Sequence, residues 1–232
     1  MFIIGLDLSI NYASYCISKD FKEFWFGSII NDPSLSLKKR DELITLTDFI
    51  DNFNVVFTNR ACNKNANKSK NYTDTERLKL INHIEVSSKL INEINSITNY
   101  DTNVVVGLEG MSYGSKGSAA FDVPQITGVI RRDILFDILN SDVNRMFIFT
   151  PSELKNCIGC KGNAGKEFIF DAFVSNPMIE DIKDDTFYEY IIKNKDDKFI
   201  KNITPKEIKI ESPFNDIIDS YLSILKIYSI IK

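Results

Sequence analysis

Hydrophobic positions in the first thirty residues cluster in short runs, whereas later ones recur at helical spacing. Residues 2–9 ("FIIGLDLS") are apolar except for one acid and predict a buried strand. Residues 12–18 and 21–30 ("FKEFWFGSII") predict two more strands, with "KD" at 19–20 as the tight turn, which makes a three-strand meander. Residues 31–41 form a polar connection, and 42–58 carry apolar residues with no decisive period. Residues 59–74 ("NRACNKNANKSKNYTD") hold few apolar groups and predict an exposed loop. Between 73 and 97, Leu78, Ile81, Ile84, Leu90, Ile91 and Ile94 mark one face of a long helix, with Thr73 or Thr75 as its N-cap.

In the second half, 102–110 ("TNVVVGLEG") predict a buried strand that ends on an acid, and 114–139 a Gly-rich loop leading into a helix. Residues 143–150 predict a strand and 151–158 a helix with proline in its first turn. A loop and helix follow at 162–176. Residues 177–211 alternate acidic and basic clusters with aromatics and resemble an insertion. The chain closes on an amphipathic helix, 212–231, capped by Ser212 and Pro213. The expected class is α/β: a five-stranded mixed sheet, three strands in an antiparallel meander and two parallel, flanked by helices. A single domain spanning 1–232, with insertions at 31–74 and 177–211, fits the length.

Composition narrows the function classes. A hydrophobic content of 44% excludes collagen-like, disordered and coiled-coil chains. No apolar run approaches the roughly 20 residues that a membrane helix needs, and no basic segment precedes a long apolar one, so neither a membrane partner nor a signal peptide is expected. Cys16, Cys62, Cys157 and Cys160 make no spaced framework, which favours a reducing, cytoplasmic setting in a bacterium or a virus-infected cell. The "CIGC" at 157–160 lacks further ligands at zinc spacing and reads as two incidental thiols. "GNAGK" lacks the rest of a phosphate-loop motif. His83 falls within the long helix and reads as a packed or surface residue, not a base. A net charge of −4 and a pI near 5.2 argue against a surface coated in basic groups, but leave room for local patches. Lys38, Lys39 and Arg40 are one such cluster, and Lys64, Lys68 and Lys70 another.

Four acids carry the candidate chemistry. Asp7 sits within the first strand and Glu109 ends the fourth. Asp216 and Asp219 lie three apart on one face near the start of the last helix. If the first and fourth strands are neighbours, the last helix can lay its pair across Asp7 and Glu109. Carboxylates gathered this way repel unless a divalent cation neutralises them. An all-oxygen donor set selects Mg²⁺ or Mn²⁺. Taken singly, each acid also has a structural explanation as a strand end or a helix N-terminal charge.

Four segments resemble one known family. "IIGLDLSINYASYCI", "VVVGLEGMSYGSKGSAAFDVPQITGVIRRDIL", "FTPSELKNCIG" with "GNAGKEFI", and "SPFNDIIDSYLSIL" occur in the order seen in RuvC-type Holliday junction resolvases, nucleases of the RNase H-like, retroviral-integrase superfamily. The first and last are generic to RNase H-like nucleases; Glu109 followed by the Gly/Ser-rich connector and "QITGVI" is more specific. The resemblance implies an RNase H-like fold and a Mg²⁺-dependent homodimer, with two ions per site and Mn²⁺ able to substitute. Its implied substrate is branched DNA, a four-way junction cut symmetrically on two strands. Asp7, Glu109, Asp216 and Asp219 match the metal-binding acids, and Lys166 a basic residue near the scissile phosphate. Tyr113 in the connector matches the position that wedges into the junction, while Phe121 is expected in the core of the next helix. Lys116, Arg131, Arg132, Lys155 and Lys161 are the expected DNA contacts. The segments at 31–74 and 177–211 and the acidic balance depart from the family pattern. Other RNase H-like nucleases, acting on flaps, packaged DNA or RNA–DNA hybrids, are the alternative, as is an inactive binding scaffold; the intact acids speak against the scaffold.

Overall fold

The computed structural model describes residues 1–63, 71–110, 119–162, 164–175, 182, 185–193, 200–204, 207–210 and 212–231. The expected meander is present: β1 (Phe2–Leu8), β2 (Tyr12–Lys19) and β3 (Glu23–Ile30) pair antiparallel. The β2–β3 turn falls one residue later than expected. Asp20 and Phe21 both take positive φ, 53° and 58°, and the Lys22 N–H donates to the Lys19 carbonyl at 3.0 Å. That is the twist-matched hairpin turn, and it is uncommon for a bulky residue. Phe21 gains in exchange an edge-on contact with Tyr228, ring centroids 4.8 Å apart.

The undecided stretch after the meander resolves into two elements. Helix α1 (Leu37–Thr47) is capped by Ser36, whose side chain accepts from the Lys39 N–H. Strand β4 (Phe53–Phe57) then pairs parallel with β3. The sheet therefore has six strands, not the five expected, in the order β4-β3-β2-β1, then the two parallel strands β5 (Val104–Glu109) and β6 (Met146–Phe149). The added strand covers the backbone donors and acceptors that β3 would expose as an edge. Its pattern, "FNVVF", is too short to declare a period within the 42–58 window.

Helix α2 (Asn59–Cys62) is a single turn, and α3 (Tyr72–Thr98) spans the predicted long helix. Asn71 caps α3 by accepting from the Thr73 N–H, so neither Thr73 nor Thr75 is the cap. Leu90, Ile91 and Ile94 are buried as expected, but Ile81 and Ile84 face solvent, and Asn82, His83 and Ser87 turn inward instead. Helix α4 (Ala119–Asp133) runs on as a π-helical turn over Ile134–Ile138. Phe121, expected in the core, is 73% exposed. Helix α5 (Pro151–Cys157) starts on a capping box between Thr150 and Glu153. Then come α6 (Lys166–Ser175), α7 (Thr186–Lys193), a hairpin of β7 (Ile200–Thr204) and β8 (Glu207–Ile210), and α8 (Phe214–Ile231).

Two cores lie on opposite faces of the large sheet. One joins Ile3, Phe24, Phe26 and Phe53 to Ile217, Tyr221 and Ile224 of α8. The other joins Ile4, Leu6 and Tyr15 to Val86, Leu90 and Ile94 of α3 and to Ile126 and Ile130 of α4. The stretch expected as an insertion feeds the first core, where Phe187 of α7 stacks on Phe26 at 4.4 Å and on Phe53 at 5.4 Å. The strands β1, β3, β4, β5 and β6 all point the same way, so their carboxyl ends share one edge of the sheet. In open α/β sheets that edge is where ligand sites form.

Candidate active site

The site begins with a repeat shared by the two central strands. β1 reads "IIGLDL" and β5 reads "VVVGLE", and they pair in parallel with Gly5 beside Gly107 and Leu6 beside Leu108. One step further, at the carboxyl edge, stand Asp7 and Glu109. The two leucines are fully buried among α3 and α4, so the alternating pleat turns the acids toward the opposite face, where α8 lies. The paired glycines give α8 its seat. A Cβ on Gly5 would stand 2.1 Å from the carbonyl oxygen of Ser220, and one on Gly107 2.8 Å from the Ile227 side chain.

So seated, α8 brings Asp216 and Asp219 of its first two turns over the strand end. Carboxylate oxygens of Asp7, Asp216 and Asp219 all lie within 4.8 Å of one another. The Nζ of Lys166, the first residue of α6, sits 3.2 Å from Oδ1 of Asp216 and 3.2 Å from Oδ2 of Asp219. The structure thus gathers four of the five sequence-predicted catalytic residues directly. Glu109 stands alongside, close enough to sense Asp219.

One ammonium does not neutralise this many acids. Burial, then the charges of Asp219, Asp216 and Glu109, push the Asp7 carboxyl well above its ordinary range, against the pull of Lys166. Burial and Asp219 push Glu109 up to about 7, with Lys155 and Lys166 opposing. Burial likewise raises Asp219, restrained by Lys166. Burial works against the charge on Lys166, yet Asp219, Asp216 and Asp7 hold its pKa above the ordinary value. The excess negative charge and an all-oxygen donor set fit a divalent cation of the Mg²⁺ or Mn²⁺ class, which Asp7, Asp216 and Asp219 would hold, with Glu109 alongside.

This imbalance has a measurable sign. Asp7 and Glu109 bind protons more tightly in the folded chain than unfolded, so their stabilising contribution is complete at low pH. It is lost as pH rises, for Glu109 between its ordinary value of 4.5 and about 7. A bound cation removes that loss. The stabilisation gained on adding Mg²⁺ to EDTA-treated protein is therefore expected to grow between about pH 5 and pH 8, by on the order of 1–3 kcal/mol. Urea unfolding at the two pH values checks this; a Mg²⁺ effect that is absent or shrinks with pH would contradict the charge argument.

The expected DNA contacts are placed unevenly. Lys155 on α5 donates to the Ala164 carbonyl at 2.8 Å and is felt by both Glu109 and Asp219. Lys161 is exposed on the connection between α5 and α6. Arg131 and Arg132 sit at the far end of α4, about 18 Å along the helix from its start at the carboxyl edge. Arg132 donates to Asp133 at 2.8 Å, while Nε and one terminal nitrogen of Arg131 are buried with no hydrogen-bond partner among the described residues. Tyr113 and Lys116 lie outside the described residues, as do Lys64, Lys68 and Lys70. In the Lys38–Arg40 cluster, Arg40 is buried and donates to the Leu35 carbonyl. Sequence reasoning passed over Gly5 and Gly107 as site determinants. The repeated Gly-Leu-acid triplet was the signal, since it sets both the register and the seat of the helix.

No family model matches the chain, and no curated protein matches it. Among solved structures, RuvC of Thermus thermophilus is similar, with 10% identity over 99% of this chain and 96% of that one, at a TM-score of 0.49. The same protein in complex with a Holliday junction substrate shares 10% identity over 99% and 96% of the two chains, at a TM-score of 0.46. The yeast mitochondrial Holliday junction resolvase Ydc2 shares 12% identity over 97% of this chain and 76% of its own, at a TM-score of 0.40.

Proposed function

We propose that this chain is a divalent-cation-dependent endonuclease that resolves four-way DNA junctions by paired, symmetric cuts. The observation that carries the reading is the meeting of Asp7, Asp216 and Asp219 within 4.8 Å at the carboxyl edge of the sheet, with Glu109 and Lys166 beside them. A structural role would not gather acids that raise one another's pKa. The junction as substrate rests on the four sequence segments that resemble RuvC-type resolvases.

Each residue has a role in this reading. Asp7, Asp216, Asp219 and Glu109 hold the cation, Mg²⁺ or Mn²⁺. When bound, such ions supply Lewis acidity to a phosphodiester and make water a stronger nucleophile near neutral pH. Lys166 orients Asp216 and Asp219, and its ammonium stands where it can meet a non-bridging phosphate oxygen. Glu109, pushed to about 7 in the cation-free protein, would give up its proton near neutral pH as the cation binds. Lys155 and Lys161 flank the acids and offer phosphate contacts on an otherwise acidic chain. Symmetric cuts on two strands need two such clusters related by a two-fold axis, and the described residues of one chain hold one, so the working form is a homodimer. No described helix is long and apolar enough to cross a membrane.

The test is incubation with a synthetic four-way junction, a linear duplex and an RNA–DNA hybrid, each with Mg²⁺ or EDTA. Paired symmetric nicks on the junction, in Mg²⁺ only, are expected. Cleavage of the hybrid alone would move the chain to another RNase H-like activity, and no cleavage of any substrate would leave a binding scaffold.

A further inference from the structure

At the same end of the sheet as the acid cluster, but on the opposite face with α3 and α4, lies a cavity of about 180 Å³. Its volume is that of about six waters. Ile10 follows β1, Asn31 follows β3, and Arg60 lies on α2 just past β4, so the cavity lies at the same carboxyl edge of the sheet as the acids. Ile10 is three residues from Asp7, which limits their separation to about 10 Å.

The wall on the sheet side is fixed. The Asn31 side-chain amide donates to the Ile10 carbonyl at 2.9 Å, and its oxygen accepts from the Thr58 hydroxyl at 2.7 Å. The helix side is polar and unspent. Asn82 and His83 of α3 are 9% and 4% exposed, line the cavity, and make no side-chain hydrogen bond among the described residues. Their polar atoms are not among the sealed, unpartnered ones, so they meet the space of the cavity itself. Burial lowers the His83 pKa, so the ring is neutral near pH 7 and presents one donor and one acceptor. Arg60 faces the same space without an ion pair among the described residues.

Charge argues against a free anion here. Lys79 in the wall is held at 3.0 Å by both Asp122 and Glu76, and Asp32 and Asp122 act on Arg60. Acids thus balance the two cations. What fits is a neutral, planar group with its own donors and acceptors, edge-on to Asn82 and His83, with the Arg60 guanidinium to stack on it and Ile10 and Leu78 as apolar surface. We propose that this cavity receives one nucleobase extruded from the strand being cut, one or two nucleotides from the scissile phosphate, and so imposes a base preference beside the cleavage site. This rests on the nuclease reading above. Extrusion is cheapest where bases are already unpaired, as near a junction centre.

His83 is the only histidine in the chain, so its ring proton resonances give a single reporter that needs neither metal nor cleavage. Titrating each of the four deoxynucleoside 5′-monophosphates to about 10 mM, above the roughly millimolar affinity that one stacked, hydrogen-bonded base supplies, is expected to shift those resonances for at least one base. Leu78→Trp, which fills the cavity, and Arg60→Gln should each weaken the shift, with thermal melts checking that both variants fold. In parallel, junctions carrying one abasic site at each position around the cut are expected to show a roughly tenfold or larger loss of rate at a single position. No His83 shift with any nucleotide, or the same shift with inorganic phosphate alone, overturns the proposal. So does cleavage indifferent to every abasic site, which would leave the nuclease reading standing. Failure to cut any junction removes the nuclease reading and with it the extruded base, while the His83 titration still decides whether the cavity binds a nucleobase.

Discussion

Asp7→Asn is expected to abolish Mg²⁺-dependent junction cleavage, by about 10³-fold or more, while junction affinity measured in EDTA stays within about threefold. The substitution keeps the shape of the side chain and removes one negative charge from the centre of the cluster, where Asp216 and Asp219 converge on it. It leaves Lys155, Lys161 and Lys166, the lysines proposed to meet phosphate, in place. The fold should not suffer either. Burial and three neighbouring acids already disfavour the ionised form of Asp7, so neutralising it relieves repulsion in the cation-free protein. Its thermal midpoint in EDTA at neutral pH should match or exceed wild type, while the gain on adding Mg²⁺ shrinks. Asp20→Asn serves as the control: that acid is exposed, at the opposite edge of the sheet, and cleavage should be unaffected. Cleavage near the wild-type rate in Asp7→Asn would remove the site assignment.

The acids were legible because each stands at a place where local pattern and chemistry conflict. An ionised group within the apolar run 2–9, and another at the end of "VVVGL", demand partners that no neighbour in sequence supplies. The meander, the long helix and the closing helix were legible from period alone. What period could not reach was set by distant packing. β4 is five residues long and becomes a strand by pairing with β3. Ile81 and Ile84 share the apolar spacing of α3 yet face solvent, because α4 and the sheet meet the helix on the side of His83, Val86 and Leu90. Phe121 sits in the first turn of α4 and points outward for the same reason: the buried stripe of that helix runs through Ile126 and Ile130. Phe187 looked like part of an insertion, and only the stacked rings of Phe26, Phe53 and Phe214 show it belongs to a core. The cavity at Asn82 and His83 was equally invisible, since its walls come from five separate stretches of chain.

Gly5→Ala is expected to be severely damaging, costing about 3 kcal/mol or more in stability and most of the cleavage activity. The added Cβ would meet the Ser220 carbonyl oxygen at 2.1 Å and Ile224 at 3.1 Å. The first obstacle is helix backbone, which has no rotamer to change, so α8 must back away from β1 by about 1 Å. Asp216 and Asp219 ride on that helix and Asp7 is two residues from the glycine, so the retreat opens the acid cluster as well. Gly107→Ala makes a graded comparison. Its Cβ would meet the tip of the Ile227 side chain at 2.8 Å, which can rotate, and the Ser223 carbonyl only at 3.3 Å. A loss of about 1–2 kcal/mol with partial activity is expected there. Gly128→Ala on α4 completes the series: nothing lies within 4 Å of its Cβ, and helix propensity alone should raise stability by about 0.5–1 kcal/mol. Urea unfolding of the three variants, with junction cleavage alongside, reads the order directly. If Gly5→Ala unfolds no earlier than Gly128→Ala, the seat of α8 on the glycine pair is wrong, and with it the geometry that brings the acids together.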